Sequence, residues 1–189
     1  MLDIGYGIRL ASLLWKFRGK EHCGSPLIES VVRGRCWLND LDTNIHMNNS
    51  RFLRECDFGR FSLLIETGLW NILMKERKKG IKDASILVSA LQCQFRESIQ
   101  WGDYFNIHSR IEGWDDKAFY LQQSIILQKN SKLAFSLIVR LVPTPRSLTP
   151  QLLIDQLNCG SIQSPQLSKN IQSFKENHRL DFQLINSKI

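Results

Sequence analysis

The residue types best suited to chemistry lie together in one short stretch, residues 40–49. It holds two carboxylates, three side-chain amides and one of the chain's four histidines. A carboxylate such as Asp42 can act as a nucleophile or as a general base that activates water. The free N–H groups and the dipole of a helix that begins just beyond can polarise a carbonyl oxygen. Asp42 and the helix start are therefore the candidate catalytic pair, and we expect Asp40 to shape the turn.

Four other residues near Asp42 are weaker candidates. His46 can orient a substrate or relay a proton, and a histidine that is hydrogen-bonded within its own loop is at least as common. Asn48 and Asn49 are first of all helix-capping residues, and they are also candidates for binding substrate. Glu55, about two turns into the predicted helix, is a further substrate-binding candidate, although a solvated glutamate is the commoner case.

The helix that must position this loop is predicted over residues 50–67. Residues that recur at spacings of three and four give it one continuous face, formed by Phe52, Leu53, Cys56, Gly59, Arg60, Leu63 and Leu64. Gly59 costs about 1 kcal/mol relative to alanine in a helix interior. Its presence there favours a helix that lies very close to another backbone. A second, shorter helix is predicted over residues 69–79, where it ends in a basic cluster.

The remaining periodicity is that of strands. Alternation over residues 30–38 predicts one strand, and four more runs with a period of two fall within residues 85–142. Because the connections are short, we expect the last four strands to form an antiparallel meander. Its apolar face needs a cover, and the long helix is the best candidate, so we expect the sheet to curl around it. A short helix over residues 148–158, capped by Thr149, should follow.

Length and composition indicate one globular domain with two extensions. The chain has 189 residues, of which 43% are hydrophobic and 23% are charged, and a single core is comfortable at this size. We predict an amphipathic N-terminal segment over residues 1–29, the domain over residues 30–158, and a polar, poorly packed tail over residues 159–189. The sequence leaves the compartment open: cytoplasm, an internal membrane surface, or the secretory pathway if the natural N-terminus is longer.

Charge and cysteine content limit the partners. A net charge of +7 favours anionic partners, but no basic stripe is interleaved with aromatic residues, so we expect affinity for phosphate and no binding of nucleic acid. Five scattered cysteines without a Cys-x-x-Cys pair indicate neither a disulfide framework nor a metal site, and no cofactor is expected. Trp15, Lys16, Phe17 and Arg18 suit either peripheral contact with a membrane or a helix packed on its own domain.

Two motifs carry a resemblance to a known family. Residues 40–54 resemble the opening motif of the hotdog-fold acyl-CoA thioesterase superfamily, and residues 113–121, with Tyr6, Arg9 and Leu10, resemble its thioesterase superfamily member 6 (THEM6) branch. The resemblance implies an α+β fold, a single hotdog domain in which an antiparallel sheet wraps round a long central helix. It also implies a homodimer or a dimer of dimers, with acyl-CoA sites at the interface.

The same resemblance implies a function in lipid metabolism. Asp42 matches the loop aspartate that serves as nucleophile or general base when these enzymes hydrolyse a fatty or aromatic acyl-CoA thioester. One departure stands out, because active families commonly have glycine where this chain has Ile45, and a β-branched side chain resists a positive φ. The alternative is therefore an inactive hotdog protein that binds an acyl ligand or scaffolds partners at a membrane. A hotdog dehydratase fits less well, because the companion acid of that motif is missing.

Overall fold

The computed structural model describes residues 4–16, 25–157, 160 and 162–186. Phe17 and Arg18, which the sequence suggested for membrane contact, lie outside the described residues. The elements in chain order are α1 (Ile4–Lys16), β1 (Glu29–Arg35), α2 (Asn49–Glu66), α3 (Leu69–Lys78), β2 (Ser85–Phe95), β3 (Tyr104–Trp114), β4 (Phe119–Leu127), β5 (Leu133–Thr144), α4 (Pro150–Asp155) and α5 (Lys169–Asn186).

Local signals in the sequence set the limits of α2 and α4. The side chain of Asn48 accepts the N–H of Ser50 and so caps the first turn of α2. Gly68, with φ 87°, separates α2 from α3, because glycine adopts this conformation without steric cost. The side chain of Thr149 accepts the N–H of Leu152 and caps α4 as predicted. The predicted helices are therefore confirmed.

All strand pairs are antiparallel, in the order β1-β3-β4-β5-β2. Strands β3, β4 and β5 form the predicted meander, but the expected pairing of β2 with β3 is wrong, because β2 pairs with β5 at the far edge. Residues 96–103 make the crossing. Eight residues can span about 26 Å, whereas three inter-strand spacings need only about 14 Å. A short connection therefore permits this crossover as readily as a hairpin.

The central helix α2 packs against β1 and β3, and its buried residues join those of the sheet in one core. A Cβ atom added to Gly59 would lie 2.5 Å from Ser109 Oγ and 2.8 Å from Ile107 Cγ2, so α2 lies very close to the sheet here, although the nearest atoms belong to side chains and not to the expected backbone. The buried Gln123 side chain donates to the Cys56 carbonyl (2.9 Å) and to Ser109 Oγ (2.8 Å). Only a residue without a side chain allows the helix to come this close.

The C-terminal segment is better packed than the sequence indicated. Ile171 and Phe174 on α5 are buried in a second cluster together with Ala118 and Tyr120 of the sheet. Lys175 Nζ lies 2.5 Å from Asp115 Oδ2 and ties the helix to the β3–β4 turn. The expectation of a poorly packed tail is therefore wrong, because two apolar residues three apart give α5 a narrow stripe that it buries.

Helix α1 packs on its own domain. The ring centroid of Tyr6 lies 5.0 Å from that of Phe58 on α2, and Arg9 forms an ion pair with the buried Glu55. Leu13 is 7% exposed, whereas Trp15 is 78% exposed. Among the described residues, no helix combines the length and the hydropathy of a membrane span.

Candidate active site

The candidate catalytic loop is a tight turn in front of α2. The Asp42 N–H donates to the His46 carbonyl (2.9 Å), and the Ile45 N–H donates to the Asp42 carbonyl (3.1 Å). On the far side of the turn, the Met47 N–H donates to the Ile99 carbonyl (2.8 Å), and the Met47 side chain is buried. The turn is therefore anchored to the crossover between β2 and β3 and presents Asp42 and His46 on its surface.

The structure brings together the two predicted catalytic residues. Oδ1 of Asp42 accepts the Asn44 N–H at 2.8 Å, and Oδ2 lies 3.4 Å from His46 Nδ1. The Asp42 side chain is 22% exposed and that of His46 is 33% exposed. The carboxylate is thus held in place at one oxygen while it stays within reach of a substrate. His46 is placed to orient it or to exchange a proton with it.

Ile45 forms the tip of the turn in the conformation that glycine would adopt. Its φ is 62°, and 69% of the residue is exposed. The left-handed conformation costs an L-residue about 1–2 kcal/mol. Isoleucine at this position therefore strains the loop.

The start of α2 is capped by one of the two predicted asparagines. Oδ1 of Asn48 accepts both the N–H (2.9 Å) and the hydroxyl (2.7 Å) of Ser50. The Asn48 N–H donates to the Asp40 carbonyl (2.8 Å). Asn49 is the first residue of the helix and is exposed, so it does not act as the cap.

Asp40 shapes the turn, as predicted. It is 1% exposed, and its Oδ2 accepts the Trp37 N–H at 2.9 Å, which closes the 3₁₀ turn Leu38–Asp40. Its Oδ1 lies 2.5 Å from Arg54 Nη2 on α2. This carboxylate therefore fixes the start of the catalytic loop to the second turn of the helix. Leu38, the last residue of the strand predicted over residues 30–38, instead lies in this turn and is 69% exposed.

Glu55 is fully buried, so the expected solvated alternative is wrong. Arg9 Nη1 lies 2.6 Å from its Oε2 and 2.7 Å from its Oε1, and Arg54 Nη2 lies 3.1 Å from Oε1. Burial alone would lower the pKa of Arg54, but the carboxylates of Asp40 and Glu55 outweigh burial and raise that pKa above its ordinary value. The four side chains form an ion network beneath the loop.

The second motif, residues 113–121, forms a clamped turn. Oδ1 of Asp115 accepts the N–H groups of Lys117 and Ala118, both at 2.9 Å, and Oδ2 accepts the Tyr120 hydroxyl at 3.0 Å. Burial alone would raise the pKa of Asp115, but the hydrogen bonds, above all that from Lys175, outweigh it and lower the pKa. These contacts give the motif a structural role in holding α5.

The sequence reasoning missed the arginines that hold the site from below. Arg9 reaches Glu55 across 46 positions, and Arg54 reaches Asp40 across 14. The local indication of these partners was the presence of Asp40 and Glu55, because a carboxylate that becomes buried needs a positive partner. Across the described ranges, no group of three His, Cys, Asp or Glu side chains is arranged to hold a metal ion.

Fold and site together define a class of protein. A five-stranded antiparallel sheet packed on a central helix, with an aspartate loop at the helix start, is the hotdog architecture of thioesterase-like proteins. Residues 36–146 match the model of the Thioesterase-like superfamily. The match covers more than half of the chain, which therefore belongs to that superfamily. Membership supports thioester hydrolysis as the class of activity.

Within the superfamily, the chain is similar to curated proteins named Protein THEM6. The protein from Danio rerio is 34% identical over 146 residues, which are 77% of this chain and 68% of the relative. The protein from Xenopus laevis is 29% identical over 171 residues, 90% of this chain and 79% of the relative. The branch indicated by residues 113–121 is thereby confirmed.

Solved structures support the fold independently. A 1,4-dihydroxy-2-naphthoyl-CoA thioesterase from Synechocystis superposes with a TM-score of 0.57 at 15% identity, covering 70% of this chain and 97% of that one. The gentisyl-coenzyme A thioesterase BH1999 superposes with a TM-score of 0.51 at 22% identity, covering 61% and 93%. At this identity the likeness establishes the hotdog fold alone.

Proposed function

We propose that this protein hydrolyses an acyl-CoA thioester, with Asp42 as nucleophile or general base. One observation carries the proposal: the Asp42 carboxylate is partly exposed, fixed by the Asn44 N–H and within 3.4 Å of His46, directly ahead of α2. Membership of the thioesterase-like superfamily supports it. The substrate class that follows is a fatty or aromatic acyl group on coenzyme A.

The chemistry needs a nucleophile, an oxyanion donor and a proton for the leaving thiol. Asp42 either attacks the thioester carbonyl, which gives a mixed anhydride that water then hydrolyses, or removes a proton from the water that attacks the carbonyl directly. The Asn49 N–H, at the start of α2, is our candidate donor to the carbonyl oxygen, since the Asn48 side chain already occupies the Ser50 N–H. His46 passes a proton to the departing sulfur. The products are a free acid and the thiol of coenzyme A.

Substrate contacts fall on the exposed side of the loop. Asn49 is the best placed of the predicted substrate-binding residues, because its side chain is exposed at the first position of α2. Asn48 acts through the helix cap and Glu55 through the buried ion network, so both are positioning residues in this proposal. Neither needs to touch the substrate to affect turnover.

The proposal includes a homodimer formed through β2. This edge strand is 11 residues long and exposes four large apolar side chains: Leu87, Val88, Leu91 and Phe95. An exposed apolar edge favours pairing with another chain. A second copy would cover these side chains and give the acyl group an apolar surface. Light scattering of the purified protein should therefore report twice the mass of one chain.

The decisive experiment is an acyl-CoA hydrolysis assay that follows release of the free thiol. Wild type is measured on acyl chains of increasing length and on an aromatic acyl-CoA, beside Asp42→Ala. The variant should lose at least about a hundredfold in kcat/KM, the usual minimum for removal of a general base, while its circular dichroism stays unchanged. Asp116→Ala is the matched control, because Asp116 is exposed and lies in the other motif. Turnover by Asp42→Ala equal to that of wild type would reject the assignment.

One observation favours a second candidate function, binding of an acyl ligand without hydrolysis. The exposed Ile45 side chain occupies the tip of the loop beside Asp42, where a glycine would leave room for a substrate. Thermal unfolding separates the two functions, because a ligand that binds only the folded protein raises the unfolding temperature. Stabilisation by acyl-CoA with no thiol released would support binding alone.

A further inference from the structure

A cavity of about 490 Å³ lies between α1, the edge strand β1 and α2. Four arginines line it: Arg9 from α1, Arg33 and Arg35 from β1, and Arg54 from α2. Aromatic rings complete the wall, and no carboxylate side chain is among the described residues that line it. A cavity with this lining is suited to an anion.

Two of the four positive charges are already neutralised. Arg9 is paired with Glu55, and Arg54 is paired with both Asp40 and Glu55. Two carboxylates thus balance two guanidinium groups. The other two arginines of the wall account for any net charge that the cavity presents to a ligand.

Arg33 and Arg35 carry that excess. Neither has a carboxylate partner within the described ranges, and both guanidinium groups lie over the ring of Tyr104, with Cζ 4.4 Å and 5.0 Å from its centroid. Arg35 also lies 4.5 Å from the ring centroid of Trp37. Stacking on aromatic rings holds an arginine in place and leaves its N–H groups for other acceptors. Two like charges therefore line the same cavity without a counter-charge from the described residues.

Unsatisfied donors occur on two of the arginines of the wall. Nε of Arg35 and Nη2 of Arg9 are buried, and the described residues supply no acceptor for either. Buried N–H groups without an acceptor destabilise a protein, and most native structures avoid them. A bound anion with several oxygens would satisfy donors of this kind and the excess charge at once.

The charge count selects phosphate over carboxylate. A carboxylate brings about one negative charge and would leave one of the two arginines uncompensated. A phosphate monoester brings about two charges and three acceptor oxygens, and its geometry matches the forked donors of arginine. We infer that this cavity is a binding site for a phosphate monoester or diphosphate, held by Arg33 and Arg35 and bordered by Arg9.

The inference does not depend on hydrolysis at Asp42. A phosphate group can come from a nucleotide, such as the phosphorylated adenosine of coenzyme A, or from a lipid headgroup, and both sources share this chemistry. The Asp42→Ala variant should therefore bind phosphate as wild type does, which separates failure of this site from failure of the catalytic proposal.

Calorimetric titration of the whole chain with inorganic pyrophosphate at low salt tests the site. We expect saturable binding that weakens as salt is added and that becomes at least about tenfold weaker in Arg33→Gln/Arg35→Gln. The control is Arg96→Gln/Arg179→Gln, which removes the same charge from two exposed arginines outside the cavity. Arg35→Lys keeps the positive charge but loses the paired N–H donors of the guanidinium group, so it should also bind pyrophosphate more weakly than wild type.

Two further probes identify the source of the phosphate. Tighter binding of adenosine 3′,5′-bisphosphate than of pyrophosphate indicates a nucleotide. Retention on phosphatidylcholine vesicles that contain phosphatidic acid, lost in the double variant, indicates a lipid. The inference is overturned if pyrophosphate does not bind the wild type saturably, or if Arg33→Gln/Arg35→Gln and its control bind it equally well. Thermal unfolding of both double variants verifies that they are folded.

Discussion

Replacement of Glu55 by glutamine is the sharpest test of the ion network beneath the catalytic loop. The substitution preserves the shape of the side chain and one oxygen acceptor but removes the negative charge. Asp40, which pairs with Arg54, is then the one carboxylate left in the network beside the guanidinium groups of Arg9 and Arg54. The network changes from neutral to a net charge of about +1 in a site where Glu55 is 0% exposed.

The magnitude follows from this burial. Removing one partner of a buried ion pair costs about 3–5 kcal/mol, and the retained oxygen places Glu55→Gln at the lower end, about 3 kcal/mol. With a urea m-value of about 2 kcal/mol/M, the midpoint of unfolding should fall by about 1.5 M. For a chain of this length the unfolding temperature should fall by about 6–12 °C. Turnover per folded molecule should fall far less than in Asp42→Ala, because Glu55 does not touch the loop.

Urea unfolding followed by circular dichroism measures the effect. Glu176→Gln is the matched control, since Glu176 forms an exposed pair with Arg179 on α5, and such pairs contribute about 0–1 kcal/mol. In the double variant Arg9→Met/Glu55→Gln the cost should be less than the sum of the single costs, because both charges of one pair are removed together. The reasoning is refuted if Glu55→Gln unfolds at the same urea concentration as its control.

Two further predictions concern the loop tip and the α5 clamp. Ile45→Gly should stabilise the protein by about 0.5–1 kcal/mol. It relieves about 1–2 kcal/mol of strain at φ 62°, and this gain exceeds the cost of about 0.5–1 kcal/mol that the greater entropy of the unfolded chain imposes. A lower urea midpoint of unfolding would contradict this prediction. The folded pKa of Asp115 lies below its unfolded value, so its contribution to stability is complete above about pH 4 and is lost as the pH falls through the folded pKa. In Asp115→Asn, the free energy of unfolding should therefore fall less steeply below about pH 4 than in wild type. An equally steep fall in the variant would contradict a stabilising role for the Asp115 carboxylate.

Sequence patterns predicted the elements whose limits depend on local chemistry. The cap at Asn48, the break at Gly68 and the cap at Thr149 all act within a few residues, so α2, α3 and α4 could be placed closely. The close packing at Gly59 was also readable, because a glycine in the middle of a helix needs a reason. Asp42 and His46 lie four residues apart in one short loop, so the sequence alone places both of them close to the start of α2.

Features that depend on distant partners could not be read in this way. The pairing of β2 with β5 follows from a choice of edge that the lengths of the connections leave open. Burial of Glu55 depends on Arg9, which lies on a helix separated from it in the chain. Helix α5 has only two described apolar residues in its buried cluster, Ile171 and Phe174, too few to stand out from a polar segment.

The buried charges connect α1 to the candidate catalytic loop. Asp40 binds the Trp37 N–H and the Arg54 side chain, so the start of the loop is fixed to α2. Arg54 also reaches Glu55, which in turn pairs with Arg9 on α1. A chain of ion pairs thus runs from α1 to Asp40, two residues before Asp42. Displacement of α1 would remove Arg9 and leave Glu55 with Arg54 as its one remaining positive partner in the network. Because Arg54 also holds Asp40, this change should loosen the turn that presents the Asp42 carboxylate.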